Sequence, residues 1–112
     1  MNHRSERVSS LIQEELNKII VREIEFPDCL VTVTSVDVND KMERAIVNFS
    51  VIPSKKSEDV FKVLDKAAGH LQHLLLKKLN IKPLPRLYFK IDHGPEKAAE
   101  IEKILIENKI EE

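Results

Sequence analysis

Residues 66–90, KAAGHLQHLLLKKLNIKPLPRLYFK, decide how this chain folds. Leu71, Leu74, Leu75 and Leu79 recur at helical spacing. Leu87 and Phe89, with Ile91 just beyond, then recur at strand spacing, so the stretch supplies core from a helix, a loop and a strand. It also carries Lys66, Lys77, Lys78, Lys82, Arg86 and Lys90, and no Asp or Glu. That is six of the chain's 18 Lys and Arg and none of its 19 Asp and Glu. A chain of net charge −1 has gathered its positive charge in one unit, which points to a polyanion, RNA in the first place.

Outward from this stretch, composition sets the bounds. A length of 112 residues fits a single domain, residues 1–112. Apolar residues at 42% and charged residues at 33% fit a globular rather than a disordered chain. Cys29 is the one cysteine, so no internal disulfide forms and nothing asks for an oxidising compartment. The opening MNHRSERVSS has no apolar run behind its charges, unlike a signal peptide. No run approaches the ~18 apolar residues of a membrane helix. A cytoplasmic monomer is expected.

Before the central stretch, Val8, Leu11, Ile12, Leu16, Ile19 and Ile20 predict an amphipathic helix from about Arg4 to Arg22, capped by Ser5 or Asn2. Residues 30–38 and 43–52 alternate and flank the short turn 39–42, which predicts an antiparallel hairpin. In the first strand Val31, Val33 and Ser35 should share one face and Thr32, Thr34, Val36 and Val38 the other. In the second, Ala45, Val47, Phe49 and Val51 should face inward. Ser57 reads as an N-cap before a helical stripe reaching Leu79, with Asn80 as C-cap. Gly69 interrupts that stripe and marks a kink, a break or a packing need. Gly94-Pro95 opens a last helix, with Ala98, Ile101, Ile104 and Leu105 as its stripe. The fold class is α+β: helices on a three-stranded sheet, in the order α-β-β-α-(kink)-α-β plus a C-terminal helix.

No catalytic constellation is present. His70 and His73 stand i, i+3 with no evident third ligand, so neither a metal nor a cofactor is expected. Two glycines 25 residues apart exclude a phosphate-binding loop, and exclude the GXXG clamp of a usual KH domain despite the matching element order. Tyr88 is alone and the four Phe read as internal, so the aromatic pair with which an RRM stacks bases is missing. Phosphate and shape recognition of folded RNA is the expectation. A protein-interaction module is the alternative; it needs an exposed apolar patch, which the pattern does not display. A small enzyme using His70, His73 or Asp92 would need a pocket of convergent polar groups.

The chain closely resembles the bacterial ribosome-binding factor A family. Arg7-Val8, Ile12-Gln13, Glu15-Leu16 and Ile19-Ile20 resemble that family's first helix, and Val33-Thr34, Val36, Val38, Met42, Ala45, Val47 and Ser50-Val51 its hairpin. Ala67-Ala68-Gly69 resembles its Ala-x-Gly interruption, and Pro85, Leu87, Phe89 and Asp92 its third strand. Arg86 stands where the family commonly has Glu, and Lys41-Met42 where it has Asp-Leu. The resemblance implies a KH type II fold and a non-enzymatic assembly factor. It implies binding to the immature 30S subunit during late maturation and 5′-end processing of 16S rRNA, with importance in the cold. The candidate contacts are Arg4, Arg7, Lys66, Ala67, Ala68, Gly69, His70, Lys77, Lys78, Lys82, Arg86 and Lys90. Arg4 and Arg7 could instead pair with Glu6, Glu14 or Glu15.

Overall fold

The computed structural model describes residues 3–94. The elements are α1 (His3–Glu23), β1 (Leu30–Val38), β2 (Arg44–Ile52), α2 (Ser57–Leu79) and β3 (Arg86–Ile91), with a 3-10 turn at Ser54–Lys56 before α2. The expected last helix lies outside the described residues. The sheet has the order β1-β2-β3, with β1 antiparallel and β3 parallel to β2. Parallel pairing needs a long crossover, which α2 supplies.

The hairpin turn is closed by Asn39, whose side-chain oxygen accepts the N–H groups of Glu43 and Arg44, both at 2.8 Å. Ala45, Val47, Phe49 and Val51 are all buried, as the alternation of β2 predicts. In β1 the two-residue period fails. Val33 opposes Phe49 and Ser35 opposes Asn48, so Thr34 is an extra residue in a bulge. The bulge shifts the phase, and Val33 and Val36 both enter the core rather than facing opposite ways. Ile12, Leu16 and Ile19 of α1 and Leu64, Leu71 and Leu75 of α2 close the core from one side of the sheet.

Three further expectations are corrected. Ser5 lies inside α1 and is buried, with its carbonyl accepting the Ser9 hydroxyl at 2.8 Å, so it is not the N-cap, and the alternative, Asn2, lies outside the described residues. Ser57 is the first residue of α2, not its cap; Lys56 takes the cap position, and the buried Ser57 hydroxyl has no hydrogen-bond partner among the described residues. Most important, α2 runs unbroken through Ala67, Ala68 and Gly69, so the two expected helices are one helix of 23 residues. A single glycine costs a helix only about 1 kcal/mol, less than burying the apolar stripe on both sides of it returns. Asn80 does cap this helix, with φ 52° and its N–H donating to the Leu76 carbonyl at 3.0 Å.

The helices also cover the sheet's two open edges. The Asn17 side chain accepts from the Val33 N–H at 2.8 Å and donates to the Val33 carbonyl at 3.1 Å. Gln13 donates to the Thr34 carbonyl at 3.1 Å, and Ser9 accepts from the Val38 N–H at 3.2 Å. Residues 9, 13 and 17 are one helical stripe, so α1 lies along β1 and runs against it. At the other edge, Gln72 of α2 accepts from the Leu87 N–H at 3.4 Å. Both helices therefore run against their neighbouring strands. The start of α1, the end of α2, the hairpin turn and the start of β3 meet at one end of the molecule, here called the hairpin end.

The Asp92 carboxylate ties the sheet across its width, accepting from the Thr34 hydroxyl at 2.7 Å and from the Gly94 N–H at 2.9 Å. The Thr34 bond, then the Gly94 N–H, holds its pKa below the usual carboxylate value. A lowered folded pKa means stability that is complete above the unfolded value and lost as pH falls through the folded one. Acid titration below about pH 4 should therefore destabilise the native chain more than Asp92→Asn, measured by urea unfolding across pH. Asn17→Ala should cost roughly 1–3 kcal/mol at neutral pH in the same assay, because it leaves Val33's backbone groups unpaired.

Candidate nucleic-acid interface

The cations of the central stretch are all exposed, and the fold sorts them onto different surfaces. Along α2 the buried residues Val60, Leu64, Leu71 and Leu75 define the inner stripe. The opposite ridge carries Lys62, Lys66, Gly69, His70, His73 and Lys77, none of them buried. At 1.5 Å per residue, Lys66 and Lys77 stand about 16 Å apart along the axis. Lys78 and Lys82 follow at the helix end and in the loop. Arg86 and Lys90 alternate with buried Leu87 and Phe89, so they stand on the open face of the sheet, away from the helix layer. The six do not form one flat surface. They form a helix-layer group and a sheet-face group, joined over the hairpin end by Lys78, Lys82 and Arg86.

That end gathers cations from the remaining chain as well. Arg4 and Arg7 lie exposed in the first turns of α1, Lys41 in the hairpin turn, and Arg44 directly across from Arg86. The acids there are Glu6, Asp37, Asp40 and Glu43. Among the described residues, none of Lys66, Lys77, Lys78, Lys82, Arg86 and Lys90 is in an ion pair. Glu14 and Glu15, the possible partners of Arg7, are engaged by Lys18 at 3.5 and 3.6 Å. Lys62, His73, Lys41 and Arg44 stand beside these side chains without being among the candidate contacts. Helical spacing from Lys66 could have found the first two, whereas Lys41 comes in with the hairpin turn and Arg44 with the parallel pairing of β2 and β3.

The opposite end has a different character. Glu23, Glu25, Asp28, Glu58 and Asp59 collect there against Arg22, Lys55 and Lys56, with exposed Val21, Leu30, Ile52 and Val63. Val21 and Leu30 line a shallow groove of about 270 Å³ with Ile24, Phe26 and Cys29. An exposed apolar patch therefore exists, contrary to the sequence pattern, because strand ends and a helix end from distant segments converge on it. Among the described residues no three His, Cys, Asp or Glu are placed to hold a metal ion, and no helix is long and apolar enough to cross a membrane.

Gly69 sits in the middle of the α2 ridge. A Cβ built there meets nothing within 4 Å, and the residue has no positive φ. Neither packing nor backbone conformation requires glycine at this position.

A family model described as Ribosome-binding factor A matches residues 4–105. Curated relatives of that name include one from Caldanaerobacter subterraneus, 31% identical over 96% of this chain and 90% of the relative. Another, from Burkholderia lata, is 34% identical over 94% of this chain and 80% of the relative. Among solved structures, the crystal structure of ribosome-binding factor A from Thermus thermophilus superposes with a TM-score of 0.68. It is 20% identical and covers 78% of this chain and 94% of that one. A Thermus thermophilus model fitted into a cryo-EM map of a 30S complex gives 0.65 at 21% identity, covering 84% and 97%.

Because Gly69 has no internal role, Gly69→Ala should stabilise the protein by up to about 1 kcal/mol through helix propensity. A rise in the urea midpoint at unchanged slope is the expected reading.

Proposed function

Because the chain belongs to the ribosome-binding factor A family, we propose that it binds the small ribosomal subunit as a non-enzymatic assembly factor. Its target is the immature subunit, during late maturation and processing of the 5′ end of 16S rRNA, in the cytoplasm. The observation that carries this reading is the set of exposed cations without ion-pair partners along the α2 ridge and over the hairpin end. Carboxylates do not neutralise these side chains within the described fold, so their charge is available to phosphates.

A KH-type clamp made from a helix interruption would offer free backbone N–H groups, and α2 has no interruption. The bare backbone at Gly69 instead lets a ribose-phosphate chain come close to the helix between Lys66 and His73. Shape and charge, rather than backbone donors, do the recognising.

The apolar end at Val21, Leu30 and Ile52, exposed by 76%, 60% and 64%, supports a second reading, a protein contact. It would be insensitive to salt.

If about five phosphates are neutralised, log K for subunit binding should fall against log salt with a slope of roughly −3.5 to −4.5. Lys77→Glu with Lys78→Glu should abolish co-sedimentation with immature subunits and leave circular dichroism unchanged. A slope near zero would remove the electrostatic mechanism and favour the apolar end.

A further inference from the structure

We propose that the open face of the sheet is a separate binding site, at which an unpaired RNA base stacks on Tyr88. Among the described residues, the helices fill the inner face of the sheet and no element packs on the outer face, where Arg44, Arg86, Tyr88 and Lys90 are exposed. Strand pairing builds that face around Tyr88. Ile46 lies directly across from it, Arg44 across from Arg86, and Asn48 across from Lys90. Tyr88 is 42% exposed, and the Arg86 guanidinium carbon lies 5.7 Å from its ring centroid. Arg86, Lys90 and Arg44 are in no ion pair among the described residues. Of the carboxylates on this face, Asp37 accepts from the Asn48 amide at 3.3 Å, and Asp92, two residues beyond Lys90, is held by the Thr34 hydroxyl and the Gly94 N–H.

The chemistry of this face selects its ligand. An exposed aromatic ring flanked by cations along its own strand offers a π-surface to a base and charge to the phosphates on either side. The guanidinium lies over one face of the ring and leaves the other to a base, and its own plane is a second stacking surface that a lone tyrosine lacks, since bases stack on arginine as well as on aromatic rings. Duplex RNA hides its base faces, so the ligand is single-stranded. A protein-binding sheet face would be apolar, whereas around Tyr88 the face holds cations and amides beside the half-buried Ile46, and its exposed aliphatic residues, Leu30 and Ile52, stand at the far end from Arg86. The site is distinct from the α2 ridge, which lies on the other layer of the molecule. It rests on the reading of this chain as an RNA binder, and it adds a different RNA chemistry to it.

The chain contains one tyrosine and no tryptophan, so the tyrosine ring-proton resonances report on this site alone. Titrating the full chain with a short single-stranded oligoadenylate should move those resonances upfield. Tyr88→Ala should weaken the binding of a labelled oligoadenylate roughly fivefold to hundredfold, and Tyr88→Phe should restore it. Lys77→Glu with Lys78→Glu should leave the ring shift in place. Ring resonances that do not move at saturating oligoadenylate overturn the proposal. So does Tyr88→Ala binding with native affinity, which would direct the face to a protein. Absent co-sedimentation with the ring shift intact overturns only the subunit reading. Co-sedimentation without the ring shift overturns only this one.

Discussion

Asn17 holds both backbone groups of Val33, and the geometry of the molecule follows from that contact. A three-stranded sheet has two open edges, and an open edge is a row of unpaired donors and acceptors. Here α1 satisfies one edge through Ser9, Gln13 and Asn17, and α2 reaches the other through Gln72. Because the partners pair in reverse order, α1 is fixed in direction as well as in place. The bulge at Thr34 belongs to the same arrangement: its carbonyl meets Gln13, its hydroxyl meets Asp92, and the shifted phase brings Val36 into the core.

Direction then decides electrostatics. With both helices running against their strands, the beginning of α1 and the end of α2 come to the hairpin end. Arg4, Arg7, Lys77 and Lys78 thereby join Lys41, Arg44, Lys82 and Arg86. The other end receives more acids than cations, and exposed aliphatic side chains. A chain with net charge −1 thus has a strongly positive end, and at a Debye length of roughly 8 Å that end is what a nearby polyanion meets. The molecule also offers two layers to a ligand. The helix ridge suits phosphates in a folded RNA, and the sheet face, with Tyr88 beside Arg86, suits an unpaired base.

Much of this was legible in the residues. β2 alternates cleanly because it is the central strand, with one face packed and one open, and Ala45 to Val51 are buried at every second position as its pattern requires. Asn80 reads as a cap because few residues adopt the left-handed conformation without strain. β1 was misread because a bulge leaves no local signature: Thr34 is an ordinary strand residue, and its extra position is set by its partners. Gly69 was misread because glycine lowers helix propensity wherever it stands, whereas the packing of Leu64 and Leu71 on either side decides whether the helix continues.

The candidate interface divides along the same line. By itself the sequence determined which side chains are charged and how helical and strand periods space them, because those depend on local geometry alone. It therefore settled the class of fold, the inward faces of β2 and β3, and the concentration of positive charge in residues 66–90. Only the tertiary structure decided that Lys66 and Lys77 stand on one layer and Arg86 and Lys90 on another. It alone brought Arg4, Arg7 and Arg44 beside them, and left Val21, Leu30 and Ile52 uncovered together. Those outcomes depend on strand register and helix direction, which are set by contacts between residues far apart in the chain.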